Sequence, residues 1–405
     1  MKSSVYVFLS IIMLFASYYI IKKPLAASAA AIPDFVPDKE IQLAMEYLNK
    51  NTLESGRFVY NSNVDPKIKY DNIQYNALRH AGTLYSMYLA ERYLKNYSLQ
   101  EKRYLASKYF IDNYIKPLGS GMYAVVSKPE EEKLSAPVAK LGGTGLALIG
   151  LSNLYPEGRI SLDMLRGMGE FVLFMQKTDG SFYSKYNLEE KEKDKEFVSL
   201  YYPGEAALGL LYLNEVDPQK KWVEAAKKTL IYLANSRKGK TKGVPFDHWA
   251  MLATKKLIET PDNGLLEEEK LLLQAHAAQM ANVIIYNQIV DEGNTYRGGF
   301  VENFRLCSIG TMMEGLVAIY YVADDEMLKQ QVLFALKLGT EFLSRYQVKG
   351  GESKGGIPAD AYWTLIYAPK ASQVIRIDNV QHVLSAWITF RQLEIDFAEK
   401  SDKAL

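Results

Sequence analysis

Six helical hairpin units recur along this 405-residue chain, and this repetition constrains the fold more than any other feature. Each unit has a charged amphipathic helix, then a turn built on glycine, then a helix that is apolar or small on nearly every side. The turns stand roughly 60 residues apart, at Gly56, Gly121, Gly180, Gly243, Gly298-Gly299 and Gly355-Gly356. A spacing of that size accommodates two helices and their connection, so the chain predicts a helical repeat architecture.

The two helices of each unit differ in their pattern of apolar residues. The first has one apolar side and one strongly charged side, which is typical of a helix on the outside of a protein. These outer helices are predicted at residues 38–51, 98–114, 161–176, 217–234, 265–289 and 324–346. The second is apolar or small nearly all round and is therefore predicted to be buried. These inner helices are predicted at residues 76–88, 143–151, 204–213, 249–257, 310–321 and 382–390.

Six outer and six inner helices in alternation predict an all-α fold, an (α/α)6 toroid of six helical hairpins. An open solenoid of helix pairs is the alternative architecture. Neither end of the repeat series has a polar capping helix, and closure buries faces that an open stack exposes, so a closed ring is favoured. Residues 32–405 are therefore predicted to form a single domain. The glycine turns are predicted to gather on one rim of the ring.

The N-terminal segment predicts export. Residues 5–21 are a mostly apolar run, and the small residues after it include Ala27-Ser28-Ala29, which fits a signal-peptidase site. Residues 1–31 are therefore interpreted as a signal peptide, or as a signal anchor, because the apolar run is near the lower length limit for spanning a bilayer. Either way the body is predicted in the periplasm or outside the cell, attached to the inner membrane through residues 5–21 if the segment stays uncleaved. The single cysteine, Cys307, excludes an internal disulfide.

Charge balance and missing motifs exclude several classes of function. Lys and Arg together number 48 and Asp and Glu number 47, so no net field attracts the chain to nucleic acid. The sequence contains no P-loop, no H-E-x-x-H zinc motif and no G-x-S-x-G nucleophile motif. No cofactor and no metal ion are therefore predicted.

Polar residues concentrate at the starts of the inner helices, on the predicted rim. Helix N-termini supply free N–H groups and a positive dipole end, so a basin lined by them favours carboxylates and anionic ligand groups. Carboxylates and imidazoles that share such a basin are driven apart in pKa and can act as acid and base. The predicted catalytic residues are Glu205, Asp247, His248, Asp378 and His382. Glu205 and Asp378 have the alternative role of helix caps.

This pattern resembles the superfamily of (α/α)6 toroids that includes six-hairpin glycosidases, polysaccharide lyases and N-acylglucosamine 2-epimerases. The resemblance covers residues 38–393 and rests on the helix alternation and the rim turns. It implies a sugar-binding basin lined by aromatic residues. The residues predicted to bind substrate are Tyr75, Arg79, His80, Tyr201, Tyr202, Trp249, Glu302, Arg305, Tyr362, Trp363 and Arg376.

The resemblance implies two alternative mechanisms. In the glycosidases one carboxyl group protonates the leaving oxygen and another activates water. The candidates for these roles are Glu205, Asp247 and Asp378. In the epimerases two histidines, on the eighth and twelfth helices, exchange a proton beside a carbonyl, assisted by an arginine on the second helix. His248, His382 and Arg79 stand at the corresponding junctions.

The sequence is therefore interpreted as an exported carbohydrate-active enzyme that cleaves an oligo- or polysaccharide by carboxylate acid/base catalysis. Its rim arginines suit an acidic sugar, since a guanidinium binds a carboxylate through two hydrogen bonds. A sugar epimerase or isomerase that uses His248 and His382 is one alternative. A non-catalytic glycan-binding or envelope polysaccharide assembly subunit is another.

Overall fold

Twelve long helices alternate between the outside and the inside of the protein, within residues 35–96, 99–240, 243–300 and 304–402, which a computed structural model describes. The outer helices are α1 (Asp38–Lys50), α3 (Gln100–Tyr114), α5 (Leu162–Met175), α7 (Lys220–Arg237), α9 (Glu267–Tyr286) and α11 (Glu326–Tyr346). The inner helices are α2 (Ala77–Leu94), α4 (Leu141–Leu151), α6 (Tyr202–Val216), α8 (His248–Glu259), α10 (Leu306–Val322) and α12 (Ile377–Asp402).

The inner helices form a closed ring. Each packs against the next in order, and α12 packs against α2, so the last hairpin meets the first. The predicted burial is most complete in α4, where every residue is buried. The predicted (α/α)6 toroid is therefore confirmed, and the open solenoid is excluded because its ends would not touch.

Four of the predicted glycine turns join neighbouring outer helices. Their glycines have φ between +86° and +94°, and a Cβ built on each would lie 2.0–2.6 Å from a backbone oxygen of the next outer helix. The pairs are Gly56 with Leu105, Gly180 with Lys228, Gly298 with Leu338 and Gly355 with Leu43. The last pair connects the sixth unit to α1. Gly121 and Gly243 also have positive φ, but a Cβ built on either would meet no atom within 4 Å, so these two turns lack the close approach at the glycine Cα.

A glutamine at the end of three outer helices reinforces these junctions. Each side-chain amide donates a hydrogen bond to a backbone carbonyl of the next outer helix. The bonds run from Gln176 to Ala225 (2.9 Å), from Gln288 to Ala335 (2.9 Å) and from Gln347 to Glu40 (3.0 Å). The third of these bonds, like Gly355, joins the end of the chain to its beginning.

Short antiparallel strands, which the sequence did not predict, lie in the long connections that precede the inner helices. The strands are β1 (Asn61–Asn63), β2 (Ile115–Gly119), β3 (Met122–Ser127), β4 (Val138–Lys140), β5 (Lys185–Asn187), β6 (Glu192–Lys193) and β7 (Val374–Arg376). Strands β2 to β6 form one sheet in sequence order, and β1 pairs with β7 so that Asn61 faces Arg376. Because β7 runs directly into α12, this pairing fixes where α12 begins.

The predicted signal or anchor segment, residues 1–31, lies outside the described residues. None of the described helices is both long enough and apolar enough to cross a bilayer.

Candidate functional site

Two histidines and a glutamate meet at the centre of the inner ring. His248 is the first residue of α8, Glu314 lies midway along α10, and His382 lies in the second turn of α12. These three inner helices are consecutive in the ring, so their side chains converge. The rings of His248 and His382 are 5.3 Å apart, centroid to centroid, and nearly perpendicular.

Glu314 orients His382. Its Oε2 lies 2.8 Å from Nδ1 of His382, and its Oε1 accepts a hydrogen bond from the hydroxyl of Ser385, one turn further along α12. A carboxylate accepts hydrogen bonds, so Nδ1 of His382 carries the proton. Nε2 of His382 is then the acceptor nitrogen, and the amide nitrogen of Gln381 lies 3.4 Å from it. The carboxylate thereby fixes the tautomer and the orientation of the His382 ring.

His248 is buried, and neither of its ring nitrogens has a hydrogen-bond partner among the described residues. Burial, followed by the proximity of His382, holds the pKa of His248 well below its usual value, so its imidazole is neutral. Its Nε2 lies 3.8 Å from Oε2 of Glu314. Trp249 packs 4.7 Å from the ring and the half-exposed Tyr201 packs 5.9 Å from it, so the predicted aromatic wall lies beside this histidine.

The same three side chains are a group that could hold a metal ion. One donor atom each from His248, Glu314 and His382 lie within 4.8 Å of one another. Two imidazoles and one carboxylate suit a first-row transition metal. In the described structure, however, the carboxylate and Nδ1 of His382 are hydrogen-bonded to each other. The same three side chains can therefore also be read as a hydrogen-bonded acid/base group.

Two arginines hold one carboxylate a turn away from His382. Nε of Arg79 lies 2.7 Å from Asp378, and Arg376 donates from both Nε (2.5 Å) and Nη2 (2.9 Å) to the same group. Burial alone raises the pKa of Asp378, but Arg79 and Arg376, with His382, bring it below its ordinary value. Arg79 also donates from Nη1 to the hydroxyl of Tyr60 at 2.5 Å. The predicted rim residues Arg79, Arg376 and Asp378 thus form one ion cluster at the seam between α2 and α12.

Glu205 lies in the first turn of α6 and is only 5% exposed. Its Oε2 is buried without a hydrogen-bond partner among the described residues. Burial, with a smaller contribution from the charge of Asp247, raises the pKa of Glu205 to about 8. The carboxyl is therefore neutral at pH 7. Burial also raises the pKa of the neighbouring Tyr202.

Tyr75 and His80, predicted to bind substrate, lie in the core instead. His80 is fully buried, its Nδ1 lies 2.7 Å from the Tyr75 hydroxyl, and its Nε2 lies 2.9 Å from the carbonyl of Ala106. Burial lowers the pKa of His80 to about 3. The Tyr75 hydroxyl also accepts a bond from the backbone of Phe58. Both polar groups are fully used within the protein, so these residues support the fold.

Asp247, predicted to be catalytic, also has a structural role. It is fully buried, its Oδ1 caps α8 by accepting from the backbone of Ala250 (3.1 Å), and its Oδ2 accepts from Nη2 of Arg237 at 2.8 Å. Both oxygens are occupied, and the ion pair joins α8 to the end of the outer helix α7. The sequence places Asp247 at the rim correctly but does not reveal that its side chain turns outward.

The remaining predicted residues lie around the last rim turns. The indole N–H of Trp363 donates to the carbonyl of Tyr346 at 2.9 Å, and the ring of Tyr362 packs edge-on against Tyr296. Arg305 is exposed at the residue before α10. Glu302 lies outside the described residues.

Glu314 is the site residue that the sequence interpretation missed. It is the one charged residue in α10, whose other members are apolar or small, and it is only 2% exposed. A lone carboxylate in an otherwise apolar inner helix is costly to bury without a partner, so it signals a paired or functional group. That signal was present in the sequence.

Comparison with known proteins gives a structural likeness only. No protein-family model matches the chain, and no curated protein matches it. The α-1,6-mannanase GH76A of Salegentibacter sp. superposes with a TM-score of 0.58 at 10% identity, over 88% of this chain and 99% of that one. Cellobiose 2-epimerase from Bacillus thermoamylovorans gives 0.62 at 13% identity, over 87% and 98%. A D-mannose isomerase gives 0.58 at 12% identity, over 88% and 97%. These matches confirm the toroid fold.

Proposed function

We propose that this chain is a carbohydrate-active enzyme in which His248 and His382 move a proton at a sugar carbon next to a carbonyl, as an epimerase or isomerase does. The observation that carries the proposal is the His248–His382 pair, 5.3 Å apart, with His382 held by a buried carboxylate. Structural neighbours that include a cellobiose 2-epimerase and a D-mannose isomerase support it. The glycosidase that we first expected becomes the second candidate.

The two histidines suit opposite roles. His248 is neutral and its nitrogens have no described partner, so it is the base that removes the proton from carbon. The bonding electrons move to the carbonyl oxygen and form an enediolate. In its protonated form His382, held in place by Glu314, returns a proton from Nε2. Return to the same carbon from the opposite face gives the epimer. Return to the neighbouring carbon gives the isomer, and in that case the hydroxyl proton also passes from O2 to O1. In the reverse direction the two roles exchange.

The carboxylates suit glycoside hydrolysis less well. Asp247 is enclosed in its ion pair with Arg237, and Asp378 is held by two guanidinium groups, so neither is free to activate water. A variant of the α-1,6-mannanase that is inactive has two consecutive aspartates replaced. The consecutive aspartates of this sequence are Asp324 and Asp325. Asp325 caps the outer helix α11, at the rim opposite the starts of the inner helices.

Glu205 keeps glycoside hydrolysis as a second candidate. Its pKa of about 8 leaves it protonated at neutral pH, as a general acid must be. The mannanase that binds α-1,6-mannotriose supports an oligosaccharide substrate under either mechanism. The two mechanisms differ in which residue they require.

Proton transfer and bond cleavage are distinguished by one reaction run in D2O. The purified body, from residue 32 onward, is incubated with aldoses and oligosaccharides, and both deuterium at C2 and new reducing ends are measured. We expect deuterium incorporation without cleavage, lost in His248→Asn and His382→Asn and retained in Glu205→Gln. His276→Asn is the matched control, since His276 lies on the outer helix α9. New reducing ends that vanish in Glu205→Gln, with no deuterium at C2, would overturn the proposal in favour of a hydrolase.

Export is part of the proposal and rests on residues 5–21, outside the described residues. Cell fractionation, with the mass of the mature N-terminus, tests it. A cleaved form in the periplasm or medium is the expected result. An uncleaved chain in the soluble cytoplasmic fraction contradicts it.

A further inference from the structure

We infer that the substrate carries a carboxylate group, which Arg79 and Arg376 bind beside His382. This inference rests on the proposed function, because it assigns a substrate class to the same site. The observation behind it is the ratio of charges at the α2–α12 seam, where two guanidinium groups share the single carboxylate of Asp378.

The arginine cluster has hydrogen-bond capacity that the protein does not use. Asp378 accepts from Nε of Arg79 and from Nε and Nη2 of Arg376. Nη1 of Arg79 is bonded to Tyr60. Nη2 of Arg79 and Nη1 of Arg376 have no acceptor among the described residues. Each guanidinium therefore keeps N–H donors for a ligand.

Two buried arginines, Arg103 and Arg237, show the opposite arrangement. Arg103 has a side chain only 1% exposed and is surrounded by acceptors, the carboxylates of Glu91 and Glu157. Arg237 is 6% exposed and is paired with its own carboxylate, Asp247. In both cases acceptors match or outnumber guanidinium groups.

Arg79 and Arg376 differ from Arg103 and Arg237 in two ways. Their side chains are 36% and 37% exposed, although the carboxylate they share is only 8% exposed. They also outnumber that carboxylate. The cluster therefore holds one positive charge in excess and presents it to solvent, where an anionic ligand group can neutralise it.

The position of the cluster links it to the chemistry. Asp378 and His382 are four residues apart on α12, so they lie on the same face of the helix, one turn apart. His382 is close enough to lower the pKa of Asp378. A carboxylate bound by the two arginines therefore lies next to the imidazole that is proposed to return the proton. This places the anionic group on the sugar itself rather than on a remote part of a polymer.

A carboxylate fits the cluster better than a phosphate. The excess is a single positive charge, which one carboxylate balances, whereas a phosphate monoester brings close to two negative charges. Each guanidinium has N–H groups at a spacing that suits the two oxygens of a carboxylate. A hexuronate is therefore the expected class of substrate.

Calorimetric binding of three hexuronates, D-glucuronate, D-galacturonate and D-mannuronate, and of the parent hexoses tests the inference on the intact protein. We expect at least one hexuronate to bind about 10- to 100-fold more tightly than its parent hexose, as charge-assisted hydrogen bonds to a carboxylate imply. Arg376→Gln leaves Arg79 paired with Asp378, so it preserves the seam, and it reduces the preference to within about threefold. Arg376→Lys keeps the positive charge but loses the bidentate hydrogen bonding of a guanidinium, so it is expected to retain part of the preference for hexuronate over hexose.

Arg166→Gln is the matched control. Arg166 also binds a carboxylate through two donors, that of Asp217, but lies on an outer helix at the opposite end of the ring. It is expected to leave the preference unchanged. Equal binding of hexuronate and hexose by the unchanged protein overturns the inference, and so does a preference that survives Arg376→Gln. Tighter binding of the hexose 6-phosphates than of the hexuronates overturns the assignment to a carboxylate.

The carboxylate site and the proposed reaction are tested by two independent measurements. Calorimetry reports the anion preference whether or not the sugar reacts, and deuterium exchange at C2 reports proton transfer whether or not the sugar is acidic. Preference without exchange supports the carboxylate site and contradicts the proposed reaction. Exchange of neutral hexoses without preference supports the reaction and contradicts the carboxylate site.

Discussion

Replacing Glu205 with glutamine removes a titratable group that the fold keeps neutral. The carboxyl is 5% exposed and its Oε2 has no hydrogen-bond partner among the described residues, so burial and the charge of Asp247 disfavour the ionised form. Glutamine is nearly isosteric and cannot ionise. Glu205→Gln therefore leaves the packing close to its original state while it changes the dependence of stability on pH.

The magnitude follows from the pKa. Burial, with the charge of Asp247, raises the pKa of Glu205 from 4.5 to about 8. Each tenfold change in an ionisation constant corresponds to about 1.4 kcal/mol, so ionising Glu205 in the folded protein costs roughly 5 kcal/mol more than in the unfolded chain. Between pH 4.5 and 8 the folded state holds a proton that the unfolded state has lost, so the free energy of unfolding falls as the pH rises. The full loss is present above pH 8.

Urea unfolding of the original protein and of Glu205→Gln at pH 5, 7 and 9 measures this effect. At pH 5 we expect the two free energies of unfolding to agree within about 1 kcal/mol, since both side chains are then mostly neutral when folded. At pH 9 we expect the variant to be more stable by several kcal/mol, up to roughly 5. Glu40→Gln is the control. Glu40 is similarly buried but accepts a hydrogen bond from Lys349 at 2.7 Å, so replacing it is expected to lower the free energy of unfolding. Parallel curves for the original protein and Glu205→Gln would refute the reasoning.

Three further predictions test the fold and the site. Glu314→Gln keeps the hydrogen bond to His382 but removes the negative charge. It is therefore expected to lower kcat for C2 exchange by about 10²- to 10⁴-fold with little change in KM, and to alter the pH profile of kcat. An unchanged pH profile contradicts this positioning role. Asp247→Asn is expected to lower the free energy of unfolding by about 3–5 kcal/mol, since it leaves Arg237 buried without its counter-charge, and a loss below 1 kcal/mol in urea unfolding would contradict the ion-pair assignment. Gly56→Ala is expected to lower the free energy of unfolding by about 2 kcal/mol or more, because the φ of Gly56 is +86° and the new Cβ would lie 2.0 Å from the carbonyl oxygen of Leu105. Gly243→Ala introduces the backbone strain without the steric clash, so it should lower the free energy of unfolding by less.

The fold was largely predictable because its information is repeated along the chain. Each outer helix has one apolar side and each inner helix has almost no polar side, so six copies of the same contrast specify the layers. Glycines such as Gly180 and Gly355 were recognisable because they recur once in each unit. They recur because the backbone of the next outer helix leaves no room for a Cβ at these positions. The short strands were not predictable, since segments such as Val138–Lys140 are only three residues long and have no measurable alternation. The pairing of β1 with β7 and of β4 with β5 joins segments far apart in the sequence, so it depends on the fold that brings the connections together.

The site was predictable in position and only partly in composition. Polar residues at the starts of inner helices include His248 and His382, whose rings contact each other, and His80, which lies away from both. All three have the same sequence context, an imidazole at the start of an apolar helix, and what separates them is side-chain direction. His80 points outward, to the carbonyl of Ala106 on α3, whereas His248 and His382 point across the ring. A helical pattern fixes which residues share a face but does not fix which neighbour that face meets.

The site exists only in the closed ring, because its parts come from both ends of the chain. Arg79 belongs to the first hairpin, Arg376 and His382 belong to the sixth, and these halves meet where α12 packs against α2. The junctions that close the outer layer, Gly355 against α1 and Gln347 bonded to Glu40, lie in the same sixth unit. A perturbation that opens the ring at the seam between α2 and α12 is therefore expected to separate Arg79 from Asp378 before it disturbs His248 or Glu314. Hexuronate preference should consequently be lost at lower urea concentration than the near-ultraviolet signal of the four tryptophans. Simultaneous loss of both would show that the seam is no weaker than the rest of the ring.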